Sequence, residues 1–193
     1  VNSIVLFDID DTILKSKVED IGIWKFKDGE KERLSTEEFA NDSDKGKPGI
    51  TYDYWEFNDP DIVRRSIMNG TPLLSNLKII DNYINKGYDC AFLTARGCED
   101  VIKDAMMSFL KFRDKDGRLQ DIKNNFKKSL SYAVGDEKYC EVLDGLKDFE
   151  RKAKIIKMIA DMYDNVVFID DDDKNLKAAR NLNLSNVEVI DAK

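Results

Sequence analysis

Two short apolar runs that end in carboxylates constrain this chain more than anything else in it. Ile4-Val5-Leu6-Phe7 leads into Asp8-Ile9-Asp10-Asp11-Thr12, and Val166-Val167-Phe168-Ile169 leads into Asp170-Asp171-Asp172-Asp173. Uninterrupted apolar runs of this length suit parallel strands covered on both faces. In open α/β sheets, ligands bind beyond the carboxyl ends of such strands. If the two strands are neighbours, Asp8, Asp10, Asp170 and Asp171 converge on one point. Carboxylates held together resist joint ionisation unless a cation sits among them, and an all-oxygen cluster suits Mg²⁺. Helix capping and solvation of strand ends are the plain alternative for any one of these aspartates.

Three further runs, Cys90–Leu93, Ser131–Val134 and Val187–Ile190, also read as strands. Helical stripes lie between and after them. Leu73, Leu74, Leu77, Ile80 and Ile84 form one; Val101, Ile102, Ala105, Met106, Phe109 and Leu110 form the next. Ile155, Ile156, Ile159, Ala160 and Tyr163 precede the Asp170 strand, and Leu176, Ala179 and Leu182 follow it. Every stripe reads as core packing. Strands alternating with helices predict a three-layer α/β fold with right-handed crossovers. At 193 residues, the chain reads as one domain.

Residues 13–71 break the alternation and read as a flap or small cap inserted over the strand ends. Ile21–Lys27 and Glu30–Leu34 flank Asp28-Gly29, a hairpin signal. Ser35-Thr36-Glu37-Glu38 is a capping-box pattern, and Asn41–Gly49 is loop-like. Thr51–Phe57 is rich in aromatics, which either stack on a substrate base or pack the insertion onto the body.

Composition excludes several chemistries. The chain has no His, which removes His-based triads and His-zinc sites. A net charge of −7 disfavours generic polyanion binding. Apolar runs of about four or five residues fall far short of the roughly 20 that span a bilayer. Three cysteines without metal-ligand spacing and the lack of a signal peptide point to a cytoplasmic setting.

Any catalysis therefore rests on carboxylates, Lys, Thr or Ser, Cys or a metal. Asp8 and Asp10 stand two apart at a strand end, so one can attack while the other handles a proton. Thr94 ends the run Phe92-Leu93-Thr94, placed either to bind a phosphoryl oxygen or to cap a helix. Arg96 can contact a second anionic group. Lys152 opens the helix that feeds the Asp170 strand, where a cation is unfavourable for the helix dipole unless anions stand near. Lys154 competes with it, and Lys157 faces solvent. The spacing from Cys90 to Arg96 matches that of cysteine phosphatases, but the intervening residues read as a buried strand. Asp114 through Arg118 is calcium-like without a well-placed Gly or a closing Glu. The basic stretch from Lys111 to Lys128 reads as a solvated helix face or as a track for phosphates.

In order, Phe7-Asp8-Ile9-Asp10-Asp11-Thr12, Phe92-Leu93-Thr94, Lys152-Ala153 and Ile169-Asp170-Asp171 resemble the four motifs of the haloacid dehalogenase (HAD) superfamily. The resemblance covers the chain to about Asp191. It implies a Rossmann-like, five-stranded parallel sheet of strand order 3-2-1-4-5, the strands numbered in sequence, with a flap after the first motif. It implies Asp8 as nucleophile, Asp10 as general acid and base, and Thr94 and Lys152 as phosphoryl ligands. It also implies Mg²⁺ held by Asp8, the Asp10 backbone carbonyl and Asp170, with Asp171 in support. An acid at Asp10 resembles the phosphatase branch. Leu34–Phe39, Tyr52–Phe57, Asn69–Pro72 and Leu93–Gly97 further resemble bacteriophage HAD proteins and the phosphatase domains of polynucleotide kinase-phosphatases.

The expected function is that of a Mg²⁺-dependent phosphomonoesterase acting on a phosphorylated small molecule, a nucleotide or a nucleic-acid end. The setting is cytoplasmic, or a host cytoplasm if phage-encoded. Two alternatives stay open. A receiver-like phosphoacceptor module combines similar residues but carries its acidic pair on the first strand. A virion-associated or binding protein could retain the scaffold without the chemistry.

Overall fold

The computed structural model describes residues 1–113 and 120–193, with side chains described outside 110–121. The calcium-like Asp114–Arg118 and most of the basic stretch from Lys111 lie outside the described side chains. In chain order the strands are β1 (Ser3–Phe7), β2 (Leu14–Lys15), β3 (Ile23–Lys27), β4 (Glu30–Leu34), β5 (Thr51–Asp53), β6 (Thr71–Pro72), β7 (Asp89–Thr94), β8 (Tyr132–Ala133), β9 (Asn165–Asp170) and β10 (Val187–Asp191). The helices are α1 (Thr36–Ala40), α2 (Pro60–Asn69), α3 (Leu74–Ile84), α4 (Glu99–Arg113), α5 (Gln120–Asn124), α6 (Asp148–Ala160) and α7 (Asp173–Arg180).

Five strands form one all-parallel sheet in the order β10-β9-β1-β7-β8. With these five numbered in sequence, that order is 5-4-1-2-3, the expected arrangement read from its other edge. Strand β1 is central, between β7 and β9. Its residues alternate between two cores, as parallel strands covered on both faces require. Val5 and Phe7 join Leu77, Ile80, Ile102 and Met106 of α3 and α4 on one side. Ile4 and Leu6 join Ile155, Ile156, Ile159 and Ala179 of α6 and α7 on the other. The architecture is thus α/β with helices on both faces. Among the expected helical stripes, Leu74 departs from the pattern. It starts α3 and is exposed, while Asn76, Leu77 and Ile80 turn inward. No helix among the described residues is long and apolar enough to cross a membrane.

Strand register carries the two acidic strand ends together. Phe7 is paired with Ile169, so Asp8 stands level with Asp170. The Asp8 amide donates to the Ile169 carbonyl at 3.0 Å, extending the ladder by one bond. Phe7 is also paired with Phe92, which brings the Thr94 end of β7 alongside.

Residues 13–71 contain a separate three-stranded antiparallel sheet, ordered β4-β3-β5. The hairpin turns at Asp28 and Gly29, with φ of 52° and 82°. Positive φ at both positions is the type I′ geometry that an Asp-Gly pair accommodates. Ser35 and Glu38 close a reciprocal capping box at the start of α1. Phe39 packs edge-on against Tyr52 at 5.1 Å. The segment also shares the body's core: Ile13, Ile21, Phe57, Val63 and Ile67 belong to the same apolar cluster as Phe92 and Met106.

Candidate active site

Immediately after β1 the chain winds into one tight turn. The amides of Thr12, Ile13 and Leu14 all donate to the Ile9 carbonyl, and Asp11 adopts a left-handed φ of 57°. Aspartate tolerates that conformation better than most residues. The winding sends three neighbouring carboxylates to three different partners. Asp8 Oδ1 lies 3.0 Å from Lys152 Nζ. Asp10 receives Arg96 Nε at 2.8 Å and a second guanidinium nitrogen at 2.6 Å. Asp11 accepts from the Thr36 hydroxyl at 2.6 Å, which ties the insertion to this turn.

The second acidic run divides its labour as well. Asp170 is fully buried, pairs with Lys152 Nζ at 2.8 Å, and accepts from Asn175 Nδ2 and the Asp172 amide. Asp171 accepts from the Thr12 hydroxyl at 3.2 Å. Asp172 is the N-cap of α7, so the capping reading holds for this residue. Asp173 is exposed and meets Lys193.

Asp8, Asp170 and Asp171 each offer an oxygen within 4.8 Å of the others. Mg²⁺ takes oxygens at about 2.1 Å, so opposite ligands stand about 4.2 Å apart. The three carboxylates therefore fit one octahedral ion with small adjustments. Charge fits too. Lys152 is the one cation in direct contact with Asp8 and Asp170 among the described residues, and three carboxylates beside one ammonium leave a deficit of two positive charges. The Asp10 carboxylate lies outside this group, neutralised by Arg96.

The titration of these groups registers the crowding. Burial pushes the Asp8 carboxyl well above its usual range; Lys152 opposes this, and Asp170, Asp171 and Asp10 add to it. Burial, then the charges of Asp170 and Asp11, push Asp171 up to about 7. Burial works against the Lys152 charge, yet Asp170 and Asp8 hold its pKa above the ordinary lysine value.

Chelator-treated protein should accordingly weaken as the pH rises. The unfolded chain loses the Asp171 proton near pH 4, while the folded chain keeps it to about 7. The stability this proton contributes is complete below pH ~4 and is lost as pH rises through about 7. The slope is at most ~1.4 kcal/mol per pH unit, less where solvent screens it. Relative to Asp171→Asn, the parent should lose denaturant resistance between pH 5 and 8.

Two expectations about Lys152 and Thr94 are corrected. Helix α6 begins at Asp148, so Lys152 lies one turn inside it rather than at its opening. There it is buried, whereas Lys154 and Lys157 are exposed. Thr94 is buried but does not cap α4, which starts at Glu99. Its hydroxyl accepts from the Arg96 amide at 3.3 Å, leaving its own proton to donate. Arg96, expected to meet an external anion, is buried and committed inside. Beyond Asp10 it donates to Ser66 Oγ at 2.8 Å and Ser16 Oγ at 3.3 Å, and it lies 5.5 Å over the Phe57 ring. Cys90 is buried, its thiol pushed up to about 12 chiefly by burial, which removes the cysteine-phosphatase reading.

Sequence reasoning missed Ser16, Ser66, Asn175 and Gly135. The two serines carry no signal, since their contacts to Arg96 bridge 80 and 30 residues. Asn175 carried one, because an amide in the first turn of a helix after a strand-end Asp faces that Asp. Gly135 matters sterically. Its amide donates to the Arg96 carbonyl, and a Cβ there would stand 2.2 Å from the Ala95 carbonyl oxygen. Backbone cannot retreat as a side-chain tip can. Gly135→Ala should cost ~2–3 kcal/mol in denaturant unfolding, and should move Thr94 and Arg96.

No protein-family profile matches the chain, and no curated protein matches it.

Proposed function

We propose that this protein is a Mg²⁺-dependent phosphomonoesterase of the HAD type, working through a phosphoryl group carried on Asp8. The supporting observation is the cluster of Asp8, Asp170 and Asp171, in which Asp8 and Asp170 share the one ammonium of Lys152, at the carboxyl end of a parallel sheet and alongside the Thr94 end of β7. Bound Mg²⁺ would be held by Asp8, Asp170 and Asp171, and it supplies charge neutralisation for the transferring phosphoryl group. The Asp10 carbonyl is the fourth protein ligand that the motif resemblance implies.

The chain's own residues divide the remaining work. Lys152 holds Asp8 Oδ1, so Oδ2 attacks phosphorus and the bond to the leaving oxygen breaks in line. Thr94 donates its hydroxyl proton to a phosphoryl oxygen. Asp10, carrying a proton taken up from solvent with the substrate, gives it to the leaving oxygen, then takes one from the water that cleaves the acyl phosphate, so the proton count closes over one turnover. A carboxylate offers two lone-pair positions on each oxygen. Arg96 occupies one on each, fixing the group's direction while leaving the others for the proton. The strand order argues against a receiver module. Receiver-type sheets run 2-1-3-4-5, whereas here β1 lies between β7 and β9.

The test is phosphate release with and without Mg²⁺ from p-nitrophenyl phosphate, ribo- and deoxynucleotides, and oligonucleotides phosphorylated at either end. Release that chelator abolishes and Mg²⁺ restores is expected. Failure on every substrate, in protein that binds Mg²⁺, overturns the proposal.

A further inference from the structure

The groups around Asp8 can recognise a phosphoryl group, but none of them reads the group to which the phosphate is attached. That choice falls to the rim. One part of the insertion that reaches this rim is the 3-10 turn Trp55–Asn58. It is fastened to the site at two points: the Phe57 carbonyl accepts from the Gly97 amide at 3.0 Å, and the Phe57 ring lies under Arg96. The approach at Gly97 is so close that a Cβ there would fall 2.1 Å from Asn58 Oδ1. Such a turn rises ~2 Å per residue, so Trp55 starts within about 4 Å, along its axis, of the ring that touches Arg96.

On the other side of the mouth, α6 presents Asp148 one turn before Lys152, on the same helical face. Tyr54 feels the Asp148 charge: burial first, then that carboxylate, raises its phenol pKa. Tyr54 and Trp55 stand, along the chain, at the start of the turn that Phe57 fastens to the Arg96 loop.

Of the other aromatic residues of the insertion, Phe26 is also exposed, but it sits on β3 opposite Lys31 and Thr51, and the rest are occupied. Phe57 is buried, and Phe39 packs on Tyr52. Trp24 donates its indole N–H to Glu56 at 2.8 Å and is covered by Lys31 and Arg33. Tyr54 and Trp55 instead keep 44% and 49% of their surface exposed. The Tyr54 ring and the Trp55 backbone are nonetheless held in place. The Tyr54 ring meets Phe39 edge-on at 5.6 Å, and Asp53 Oδ1 accepts the Trp55 amide at 3.0 Å. A fixed, exposed aromatic pair beside an anion site suits a flat ring joined to a phosphate, and stacking on such a pair needs no base-specific hydrogen bonds. The chain's net charge of −7 favours a small monoanion or dianion over a long polyanion.

We infer that Tyr54 and Trp55 form a stacking platform for a nucleobase, which makes nucleoside monophosphates the substrate class of this site. The inference rests on the phosphomonoesterase reading for the chemical step after binding, but the platform is testable by binding alone. Asp8→Asn protein loaded with Mg²⁺ is titrated calorimetrically with adenosine 5′-monophosphate, adenosine 3′-monophosphate and ribose 5-phosphate. The better adenosine nucleotide should bind about tenfold tighter than ribose phosphate. That ratio should fall by several-fold with Trp55→Ala and approach one with Tyr54→Ala added. Trp55 is half exposed, so the single variant decides the matter if the double one does not fold. Equal affinities in the parent, or a ratio undiminished by Trp55→Ala, overturn the platform. Phosphate release without nucleotide preference removes the platform and spares the hydrolysis. Nucleotide preference without release from any substrate does the reverse.

Discussion

Asp8→Asn protein should release no measurable phosphate, a loss of roughly 10⁴-fold or more, while remaining at least as resistant to denaturant as the parent at pH 8. Both effects have one cause. The carboxylate proposed to attack phosphorus is also one whose ionisation the fold opposes. Burial dominates the upward push on its pKa, with Asp170, Asp171 and Asp10 adding to it. A carboxyl whose folded pKa is raised destabilises the fold once it ionises, so removing that charge relieves the metal-free protein above neutral pH. Asparagine keeps the shape and a hydrogen-bonding oxygen, and Lys152 retains Asp170 at 2.8 Å. Phosphate release and denaturant unfolding at pH 8, measured on one preparation, check both. Retained turnover would sink Asp8 as the nucleophile, and a marked loss of stability would sink the charge argument.

Asp10→Ala should behave differently, losing stability by about 3–5 kcal/mol as well as losing activity. The Arg96 side chain is 1% exposed, and Asp10 is the anion that neutralises it. Taking the carboxylate away leaves a buried guanidinium with the hydroxyls of Ser66 and Ser16 and the Phe57 ring for company. Removing one partner of a buried pair costs more than removing both, since the remaining charge has lost its solvent and gained nothing. Adding Arg96→Met to Asp10→Ala should therefore restore a large part of the loss. A double-variant cycle by denaturant unfolding measures this. Additive losses would show that the pair contributes no more than its separate packing.

Much of this arrangement was legible along the chain. Ile4–Phe7 and Val166–Ile169 announced buried strands because an uninterrupted apolar run cannot be solvated on either face. Their adjacency did not follow from the alternation with helices, which several strand orders satisfy; the order that makes them neighbours was implied by the motif resemblance. The Asp28-Gly29 turn was equally plain, since both of its residues adopt positive φ. The lysine was less so. Periodicity alone left Lys152 and Lys154 in competition, and two residues on a helix differ by about 200° in direction. Only the packed position of α6 turned Lys152 under the sheet and Lys154 into solvent. The fate of Arg96 was not legible at all. Its side chain was free to reach outward until Asp10, 86 residues earlier, was brought within 2.6 Å.

By itself, then, the sequence determined the strands, their carboxyl-terminal acids and the residue types available for chemistry. These depend on local periodicity and composition, which each short segment carries alone. The tertiary structure decided which charge meets which. Asp8 goes to Lys152, Asp10 to Arg96, Asp11 to Thr36 and Asp171 to Thr12. That assignment turns on separations of about 3 Å between segments far apart in the chain. A buried charge must find a partner at such distances or become neutral, and only the packed fold sets them.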